Sequence, residues 1–368
     1  MFDYNIIDEY QIEITSLCNA ACPQCPRNNL GEDVNPYMPL TNISREVLDK
    51  AFPIELVQRI RQVFFCGSYG DPIAHADFLD ILKDFRKKSP TVWLYIHTNG
   101  GIRNTKWWAE LAQVLNGHGK IDFGIDGLAD TNHIYRKNVK FYRLIENVKA
   151  FIGAGGKAQW NYIVFEHNEH QVEQARQLSI DLGFESFLPR NTGRFFHHAQ
   201  LEEMNSWPSK DYVLRPPNNI NFRNKSMLNL IKLKEEYSTM QEYFDTTEIK
   251  CDSLLGNKVI ISAEGLVLPC NFFTHNLYDA RFRDGSLPGA NSLSFVDGKN
   301  QIDSIVEYYG KDNLNINSRS LEEIFSNGFW QHIVDSWNKS LSEGRIFECA
   351  MTCGSKLSKV WDQGGNKK

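Results

Sequence analysis

The stretch TSLCNAACPQCPR, residues 15–27, decides how the rest of the chain is interpreted. It holds Cys18, Cys22 and Cys25, separated by three and then two residues, and it follows the extended, alternating residues 10–15. So short a loop lets three thiolates converge on one point. Three thiolates are one short of the four ligands that close a zinc site or an ordinary iron–sulfur cluster. A [4Fe–4S] cluster held in this way leaves one iron open to a ligand that the protein does not supply.

A zinc knuckle is the alternative for these three cysteines. Its fourth ligand would have to be one of the ten histidines, and none of them lies within the loop. The spacing therefore favours an iron–sulfur cluster, with zinc as the second hypothesis.

Length, charge and cysteine usage narrow the class of protein. The chain has 368 residues, enough for one large domain and a smaller one, and 42% of them are hydrophobic. Its net charge of −5 gives no sign of the basic surface that binds nucleic acids. The acidic start MFDYNIIDEY is no secretory signal, and no apolar run reaches the ~20 residues of a membrane span. We therefore expect a cytoplasmic protein without a membrane partner, in which clustered cysteines indicate metal binding or catalysis.

Strand and helix patterns alternate through the first half of the chain. Strand candidates are residues 10–15, 62–66, 92–97, 120–125, 159–165 and 186–188, and helical periodicity marks residues 78–85, 108–115, 144–152 and 172–178. Ser44 is placed to cap a further helix that Pro53 interrupts. Alternation of this kind predicts a parallel α/β fold, either doubly wound or barrel-like. In both, ligands bind at the carboxyl ends of the strands.

The three-cysteine loop and the polar ends of the following strands resemble the radical S-adenosylmethionine (SAM) superfamily over residues 10 to about 190. The resemblance implies an α/β fold whose core is a partial (β/α)6 TIM-type barrel, with the cluster loop after the first strand. It also implies that the open iron of the cluster is chelated by the amino and carboxylate groups of SAM.

After the second strand, Tyr69-Gly70-Asp71-Pro72 resembles the Gly-Gly-Glu-Pro motif of that family. The resemblance implies that Tyr69, Gly70 and Asp71 contribute to SAM binding, with Asp71 as an acceptor for the amino group. Aspartate has a shorter reach than glutamate. Gln24 also departs from the family, because an aromatic residue usually precedes the third cysteine.

Further SAM-binding residues are implied at the ends of the next strands. Asn99 lies in HTNG after strand three, and Asp126 lies in GIDGL after strand four. Arg136 would pair with the SAM carboxylate through its planar fork. Gly124 stands where the family usually has serine. Asn161, a polar residue within the apolar strand five, is expected either to be hydrogen-bonded structurally or to face the cofactor.

Four later cysteines predict a second metal site. Cys251 and Cys270 flank a predicted β-hairpin, residues 258–262 and 266–268, whose outer ends come together, and Cys349-x3-Cys353 has a chelating spacing. Four thiolates suit either zinc or a fully ligated [4Fe–4S] cluster. After a radical SAM core, the segment resembles twitch/SPASM domains, which implies a small C-terminal Fe–S domain with a β-hairpin, helices and an auxiliary [4Fe–4S] cluster.

These patterns divide the chain into a radical SAM core (1–195), a linker or substrate-facing region (196–249) and a twitch/SPASM-like domain (250–368). Cys66, the remaining cysteine, is expected to be a buried small apolar side chain. Gly364-Gly365 resembles the C-terminal glycines of the molybdenum-cofactor cyclase, although Asn-Lys-Lys follows them here.

The resemblance implies a radical SAM oxidoreductase or synthase that oxidatively modifies a peptide side chain or a small metabolite. Its electrons would come from a donor such as flavodoxin or ferredoxin. Tyr69, His97, Glu166 and His167 lie near strand ends and are candidates for an acid or base, but the sequence assigns no catalytic residue. The alternative is a non-catalytic zinc- or cluster-bearing binding protein that kept the fold.

Overall fold

The computed structural model describes residues 1–192, 195–197, 202–203, 205–223, 232–279 and 301–356. Much of the predicted linker is included, whereas Gly364-Gly365 lies outside the described residues.

A mixed eight-stranded sheet forms the centre of the fold. Its first six strands are β1 Glu9–Ile12, β2 Gln62–Phe65, β3 Trp93–Thr98, β4 Gly119–Gly124, β5 Ala158–Val164 and β6 Ser186–Asn191. Each of them pairs in parallel with the next. All six strands predicted from the period of two are confirmed, with small differences at their ends.

Seven helices connect these strands, and the larger ones pack on one face of the sheet. They are α1 Arg45–Ala51, α2 Ile54–Arg59, α3 Phe78–Lys88, α4 Thr105–Leu115, α5 Asn132–Tyr135, α6 Phe141–Gly153 and α7 Val172–Leu182. Phe123 of β4 packs between Trp108 and Phe151, with ring centroids 5.4 and 5.9 Å away. As predicted, Ser44 caps α1 and Pro53 separates α1 from α2. The α/β prediction is confirmed, and the parallel sheet is consistent with a partial barrel.

The chain then adds strands β7 Phe196–His197 and β8 Glu202–Glu203, which pair with each other, and β9 Lys258–Ile261 and β10 Val267–Leu268. The last two form the predicted hairpin. In the described part of this region the helices include α8 Met240–Thr246, α9 Asp252–Leu255, α10 Asn271–Tyr278, α11 Gln301–Tyr309, α12 Leu321–Ser326, α13 Phe329–Ser336 and α14 Phe347–Cys353.

The hairpin does not form a sheet of its own. β9 pairs in parallel with β1, so the strand order is β10-β9-β1-β2-β3-β4-β5-β6. The main sheet therefore crosses the predicted division at residue 250. The division itself, and the twitch/SPASM character of the C-terminal part, stay predictions. No helix in the part of the chain that the structure describes is both long and apolar enough to span a membrane.

The face of the sheet opposite to the helices carries a row of polar side chains. Strand register places His97, Asp122, Gln159 and Ser186 side by side, and Cys66, Glu13 and Ser262 extend this level one residue beyond the last pairs of β2, β1 and β9. We call these seven residues the polar row. Side chains of register partners point to the same side of a sheet. The row therefore spans seven strands on what would be the inside of a barrel.

Glu13 gives this row a pH-dependent effect on stability. Burial raises the pKa of its carboxyl to about 7, opposed by the Ser68 amide, which donates to Oε1 at 3.1 Å. A raised carboxyl pKa contributes stability that is present at low pH and lost as the pH rises through the folded-state pKa. Glu13→Gln keeps an acceptor for Ser68. We compare the free energy of unfolding of this variant with that of the parent. We expect the difference, variant minus parent, to be about 2 kcal/mol larger at about pH 8 than at about pH 5.

Urea unfolding of the parent and the Glu13→Gln variant at the two pH values measures this change. Glu32→Gln, which replaces an exposed carboxylate, is the control and should show no such change. A difference between Glu13→Gln and the parent that stays constant with pH would contradict the prediction.

Candidate functional site

The cysteine loop that follows β1 is folded back on itself by hydrogen bonds. The buried Arg27 closes it, because its Nε donates to the carbonyl of Ser16 at 2.9 Å. Within the loop, the amide of Cys25 donates to the carbonyl of Cys22 at 3.0 Å, which forms a tight turn between the second and third cysteines. This turn brings the second and third cysteines close together along the chain.

The three thiols lie close enough to affect each other's ionisation. Cys22 is 6% exposed, and burial raises the pKa of its thiol to about 11, with Arg136 opposing and Cys25 adding to the shift. Burial is also the largest cause that raises the pKa of the Cys18 thiol, and the charges of Asp71 and of the other two thiols raise it further. Thiolates this close repel one another unless a positive centre lies between them. The donor set therefore fits a three-thiolate [4Fe–4S] cluster.

Donors from neighbouring strand ends are aimed at two of these sulfurs. The amide of Ala20 lies 3.3 Å from Cys18 Sγ, and Asn99 Nδ2, after β3, lies 3.6 Å from it. Arg136 Nη1 lies 3.9 Å from Cys22 Sγ. Hydrogen bonds to sulfur stabilise electron-rich thiolates and help to set the reduction potential of a cluster.

Hydrogen bonds of Asp71 link the loop after β2 to the end of β3. Its Oδ1 accepts from Thr98 Oγ1 at 2.8 Å and from the Ile73 amide at 3.2 Å, and its Oδ2 accepts from the amide and Nδ2 of Asn99 at 2.8 and 2.7 Å. Burial raises the pKa of this carboxyl, against the effect of those donors. Asp71 thereby positions Asn99 beside Cys18. Its predicted contact with the amino group of SAM stays a prediction.

The two residues before Asp71 have different surroundings. A Cβ on Gly70 would lie 1.9 Å from the carbonyl oxygen of Thr15, so this glycine allows the loop after β2 to touch the start of the cysteine loop. The side chain of Tyr69 points elsewhere. Its hydroxyl lies 3.3 Å from the carbonyl of Thr274 and 3.0 Å from Nδ1 of His275, both on α10. The structure therefore places Tyr69 against the C-terminal part of the chain.

Asp126 and Arg136 form a buried ion pair beside Cys22. Arg136 Nε donates to Asp126 Oδ2 at 2.6 Å, and the amide of Ile163 donates to Asp126 Oδ1 at 2.6 Å. Asp126 is fully buried. Burial alone would lower the pKa of Arg136, but Asp126 and Cys22 raise it, so the guanidinium stays charged. The carboxylate of Asp126 thereby fixes the position of the Arg136 guanidinium beside the cysteine loop.

Gly124 explains how Arg136 reaches this position. A Cβ at residue 124 would lie 2.4 Å from Arg136 Nη2 and 3.0 Å from Cζ. The serine usual in the family would therefore collide with the guanidinium in its present place. The departure from the family pattern makes room for the arginine.

We expect Gly124→Ser to displace the guanidinium and to lower the free energy of unfolding by about 1–3 kcal/mol, a typical cost of overpacking. Urea unfolding measures the loss. In an Arg136→Ala background the same substitution should cost little, because the atoms it meets are gone. Equal losses in both backgrounds would show that the clash with Arg136 is not the cause.

Asn161 lies on the polar face of the sheet with protein partners on both amide atoms. Its Nδ2 donates to Asp122 Oδ2 at 2.6 Å, and Arg190 Nε donates to its Oδ1 at 2.9 Å. The side chain of Asn161 is therefore hydrogen-bonded to other residues of the protein, which is the first of the two expectations for it. Its role as a cofactor ligand stays a prediction.

The four later cysteines line one small cavity: Cys251, Cys270, Cys349 and Cys353. A hydrogen bond with Cys251, followed by burial, raises the pKa of Cys353. Burial and then Cys353 raise the pKa of Cys270 to about 12. On α14, Cys349 and Cys353 lie one turn apart, which places both thiols on one side of the helix. All four ligands would come from protein, as a fully ligated cluster requires.

In neither cysteine set do the thiols surround a single ion. Among the described residues, no three or more His, Cys, Asp or Glu side chains are arranged around one metal ion. In a four-iron cluster each thiolate binds a different iron atom, so its ligands need not meet at one point.

The other acid or base candidates differ in their surroundings. His167 is buried and stacks on Phe165 with ring centroids 5.3 Å apart, and burial lowers its pKa to about 4. Glu166 lies 3.5 Å from Arg215 in an ion pair. His97 alone among the four candidates belongs to the polar row, where its Nε2 lies 3.0 Å from Asp122 Oδ2.

Two residues of the polar row were not recognised from the sequence as functional. Asp122 is a buried carboxylate in the middle of β4, and a charged residue within an apolar strand was the available signal. Cys66 was expected to be a buried small apolar side chain, and the structure differs from this in the polar surroundings of the thiol. Its side chain is half-buried and its sulfur lies 3.9 Å from His97 Nδ1, because the register of β2 and β3 places it beside that histidine.

Comparison with known proteins identifies relatives of the chain. Residues 12–178 match the family model for the Radical SAM superfamily. The GTP 3′,8-cyclase of Nautilia profundicola is 24% identical over 316 residues, covering 78% of this chain and 88% of the cyclase. Streptococcus suis SuiB bound to S-adenosylmethionine gives a TM-score of 0.47 at 15% identity, covering 72% of this chain and 60% of SuiB. The structure of anSMEcpe with bound AdoMet gives 0.49 at 14% identity, covering 96% and 91%. The chain thus matches only about three fifths of the length of SuiB.

Proposed function

We propose that this chain is an enzyme that reductively cleaves SAM and oxidatively modifies a substrate, and the match of residues 12–178 to the Radical SAM family model supports this. The cluster would be a [4Fe–4S] cluster held by Cys18, Cys22 and Cys25. When bound, it supplies the electron that splits SAM into methionine and a 5′-deoxyadenosyl radical, which removes a hydrogen atom from the substrate.

The observation that carries this proposal is the meeting of three strand ends at the cysteine loop. Asn99, after β3, approaches Cys18 at 3.6 Å, and Arg136, after β4, approaches Cys22 at 3.9 Å. Asp71 holds the first of these donors and Asp126 holds the second. These groups would orient the thiolates and exclude water from them. Arg136 would also offer its charge to the carboxylate of SAM.

We assign the four-cysteine site to an auxiliary [4Fe–4S] cluster in a twitch/SPASM-like domain. Cys251, Cys270, Cys349 and Cys353 would complete its ligand set, so the site would exchange electrons rather than bind substrate. This arrangement suits an oxidation, because the electron released by the substrate needs an acceptor.

The proposal includes a low-potential electron donor, such as flavodoxin or ferredoxin, and a substrate that is a peptide side chain or a small metabolite. The relative's name contains GTP, and another SuiB structure is described as bound to the precursor peptide SuiA. Both classes of molecule belong among the candidates. A reducing, cytoplasmic location would suit the free thiols.

Anaerobic reconstitution followed by reduction in the presence of SAM tests the function. We expect about eight irons per chain, as two four-iron clusters require, with matching sulfide, and formation of 5′-deoxyadenosine. The Cys18→Ala/Cys22→Ala/Cys25→Ala variant should keep about half of the iron and form no 5′-deoxyadenosine. As the matched control, Cys66→Ser removes a cysteine outside both sites and should keep the iron content of the parent.

Other outcomes would reject parts of the proposal. Zinc in place of iron at both sites would support the non-catalytic binding protein. Full iron without SAM binding, measured by calorimetry, would also reject SAM cleavage by this chain. Zinc at the four-cysteine site alone would remove only the auxiliary cluster.

A further inference from the structure

Three side chains of the polar row form a connected group outside both cysteine sites. Cys66 Sγ lies 3.9 Å from Nδ1 of His97, and Nε2 of the same ring lies 3.0 Å from Asp122 Oδ2. The three residues belong to the neighbouring strands β2, β3 and β4 or directly follow them. A thiol, an imidazole and a carboxylate in this order are the arrangement that activates a nucleophile or relays a proton.

The order of the contacts assigns a role to each ring nitrogen. Nε2 of His97 is buried 3.0 Å from Asp122 Oδ2, as an ion-pair contact without the geometry of a hydrogen bond. Nδ1 is therefore the nitrogen placed to exchange a proton with another group. The only described hydrogen-bonding partner of Nδ1 is the Cys66 thiol, at a distance typical of a weak bond to sulfur. The His97 side chain is 36% exposed, so a small molecule on the polar face has access to it.

The surroundings hold both partners of this contact in place. The His97 ring lies edge-on between Phe64 and Tyr95, with centroids 4.6 and 4.9 Å away. Asp122 is 1% exposed, and its Oδ2 also accepts from Gln159 Nε2 at 2.9 Å. Its Oδ1 accepts no hydrogen bond from the described residues, which is unusual for a buried carboxylate oxygen.

We propose that Cys66, His97 and Asp122 form a proton-relay site for a small hydroxylated ligand bound against the polar row. Asp122 is the positioning residue, and His97 accepts the proton. In the free protein the S–H group of Cys66 faces His97, and in the complex a ligand O–H group takes its place. When the S–H or O–H bond breaks, its electron pair stays on sulfur or oxygen and the proton binds Nδ1. Asp122 stabilises the imidazolium that results.

The ligand class follows from the composition of the row and its neighbours. The row from Glu13 to Ser186 consists of side chains that form hydrogen bonds, and the aromatic rings of Phe64 and Tyr95 flank it at His97. Lys120 Nζ lies 3.1 Å from Gln159 Oε1, and its charge lowers the pKa of the Asp122 carboxyl. Such a surface suits a neutral polyol or sugar better than an apolar side chain. This part of the inference rests on the proposed function, whose substrate it narrows.

Alkylation of Cys66 by iodoacetamide measures proton acceptance by His97 directly. The Sγ–carbon bond forms, the carbon–iodine bond breaks, iodide leaves and the thiol proton passes to His97. Mass-spectrometric peptide mapping distinguishes Cys66 from the other seven cysteines. At neutral pH we expect His97→Gln and Asp122→Asn to slow the reaction by about 10-fold or more. His118→Gln, which removes an exposed histidine, should react like the parent.

The pH profile separates a relay from a merely structural contact. Burial and the carboxylates of Glu13, Asp71 and Asp122 raise the pKa of the Cys66 thiol. Tyr95, Lys120 and Arg190 are the other ionisable groups on this face near the relay. An unassisted thiol here would react only in alkaline solution. The parent should react at neutral pH, and His97→Gln only at high pH.

Chemical rescue shows whether slow alkylation of Cys66 in a His97 variant results from the missing imidazole or from misfolding. His97→Gly should react slowly, and added imidazole should restore much of the rate. The relay would be overturned by equal rates in the parent and His97→Gln, by the absence of Cys66 alkylation in the folded parent, or by failure of imidazole to rescue a variant whose circular dichroism is unchanged.

Protection from alkylation tests the ligand class with named probes. Millimolar myo-inositol should slow the alkylation of Cys66, and N-acetyl-leucinamide should not. The reverse order would overturn the assignment to hydroxylated ligands. These measurements need neither SAM nor reduction, so failure of the relay is distinguishable from failure of SAM cleavage.

Discussion

Asp126→Ala is expected to lower the free energy of unfolding by about 3–5 kcal/mol, because it leaves a buried guanidinium without its partner. The lost carboxylate accepts from Arg136 and from the Ile163 amide, each at 2.6 Å. Asp126 is fully buried, whereas the side chain of Arg136 is 20% exposed, so water can replace the lost acceptor only in part. Arg136 would also lose the contact that aims it at Cys22, so SAM binding should weaken together with stability.

Urea unfolding of three variants checks this expectation. Glu185→Ala removes an exposed carboxylate and should change stability by no more than about 0.5 kcal/mol. Asp126→Ala/Arg136→Met removes both charges and should be less damaging than Asp126→Ala alone. A double variant at least as unstable as the sum of its single variants would show that the ion pair does not act as a unit.

Gly70→Ala is expected to separate the loop after β2 from the cysteine loop. The added Cβ would lie 1.9 Å from the Thr15 carbonyl oxygen and 3.0 Å from Ser16 Cα, and both are backbone atoms that no rotamer change can move. We expect a loss of about 3 kcal/mol or more in stability. Because Asp71 and Asn99 move with this loop, SAM affinity should fall by at least about 10-fold, which corresponds to 1.4 kcal/mol.

Gly153→Ala is the matched control for this substitution. No atom lies within 4 Å of a Cβ at residue 153, which ends α6. Its stability should equal or exceed that of the parent, since alanine restricts the unfolded chain more than glycine does. Isothermal titration with SAM and urea unfolding give both quantities. Parent-like SAM binding by Gly70→Ala would refute the proposed contact between the two loops.

Local patterns were enough to predict the strands and to group the cysteines. β3 alternates buried and half-buried residues throughout, and such alternation is visible in the sequence. Cys349 and Cys353 are close in any helix that contains both. The hairpin between Cys251 and Cys270 could also be predicted, because its two strands are close in sequence. Whether these cysteines bind a cluster stays a prediction.

Contacts between distant segments could not be predicted in the same way. Tyr69 was assigned to SAM from its motif, yet its hydroxyl lies with Thr274, which is 205 residues away. The polar surroundings of Cys66 depend on the register between β2 and β3, which single-strand periodicity does not fix. The space that Gly124 provides for Arg136 likewise depends on how the chain after β4 turns back.

The position of β1 has a consequence for how the protein is made. β1 has β2 on one side and β9 on the other, and Glu9 pairs with Lys258. A ribosome must therefore synthesise some 250 residues before the first strand acquires its second neighbour. Closing so long a loop is entropically costly and slow, and until then β1 is an open edge. The loop with the first three cysteines is attached to that edge, so metal loading should follow synthesis of the C-terminal third rather than accompany emergence of the N-terminus.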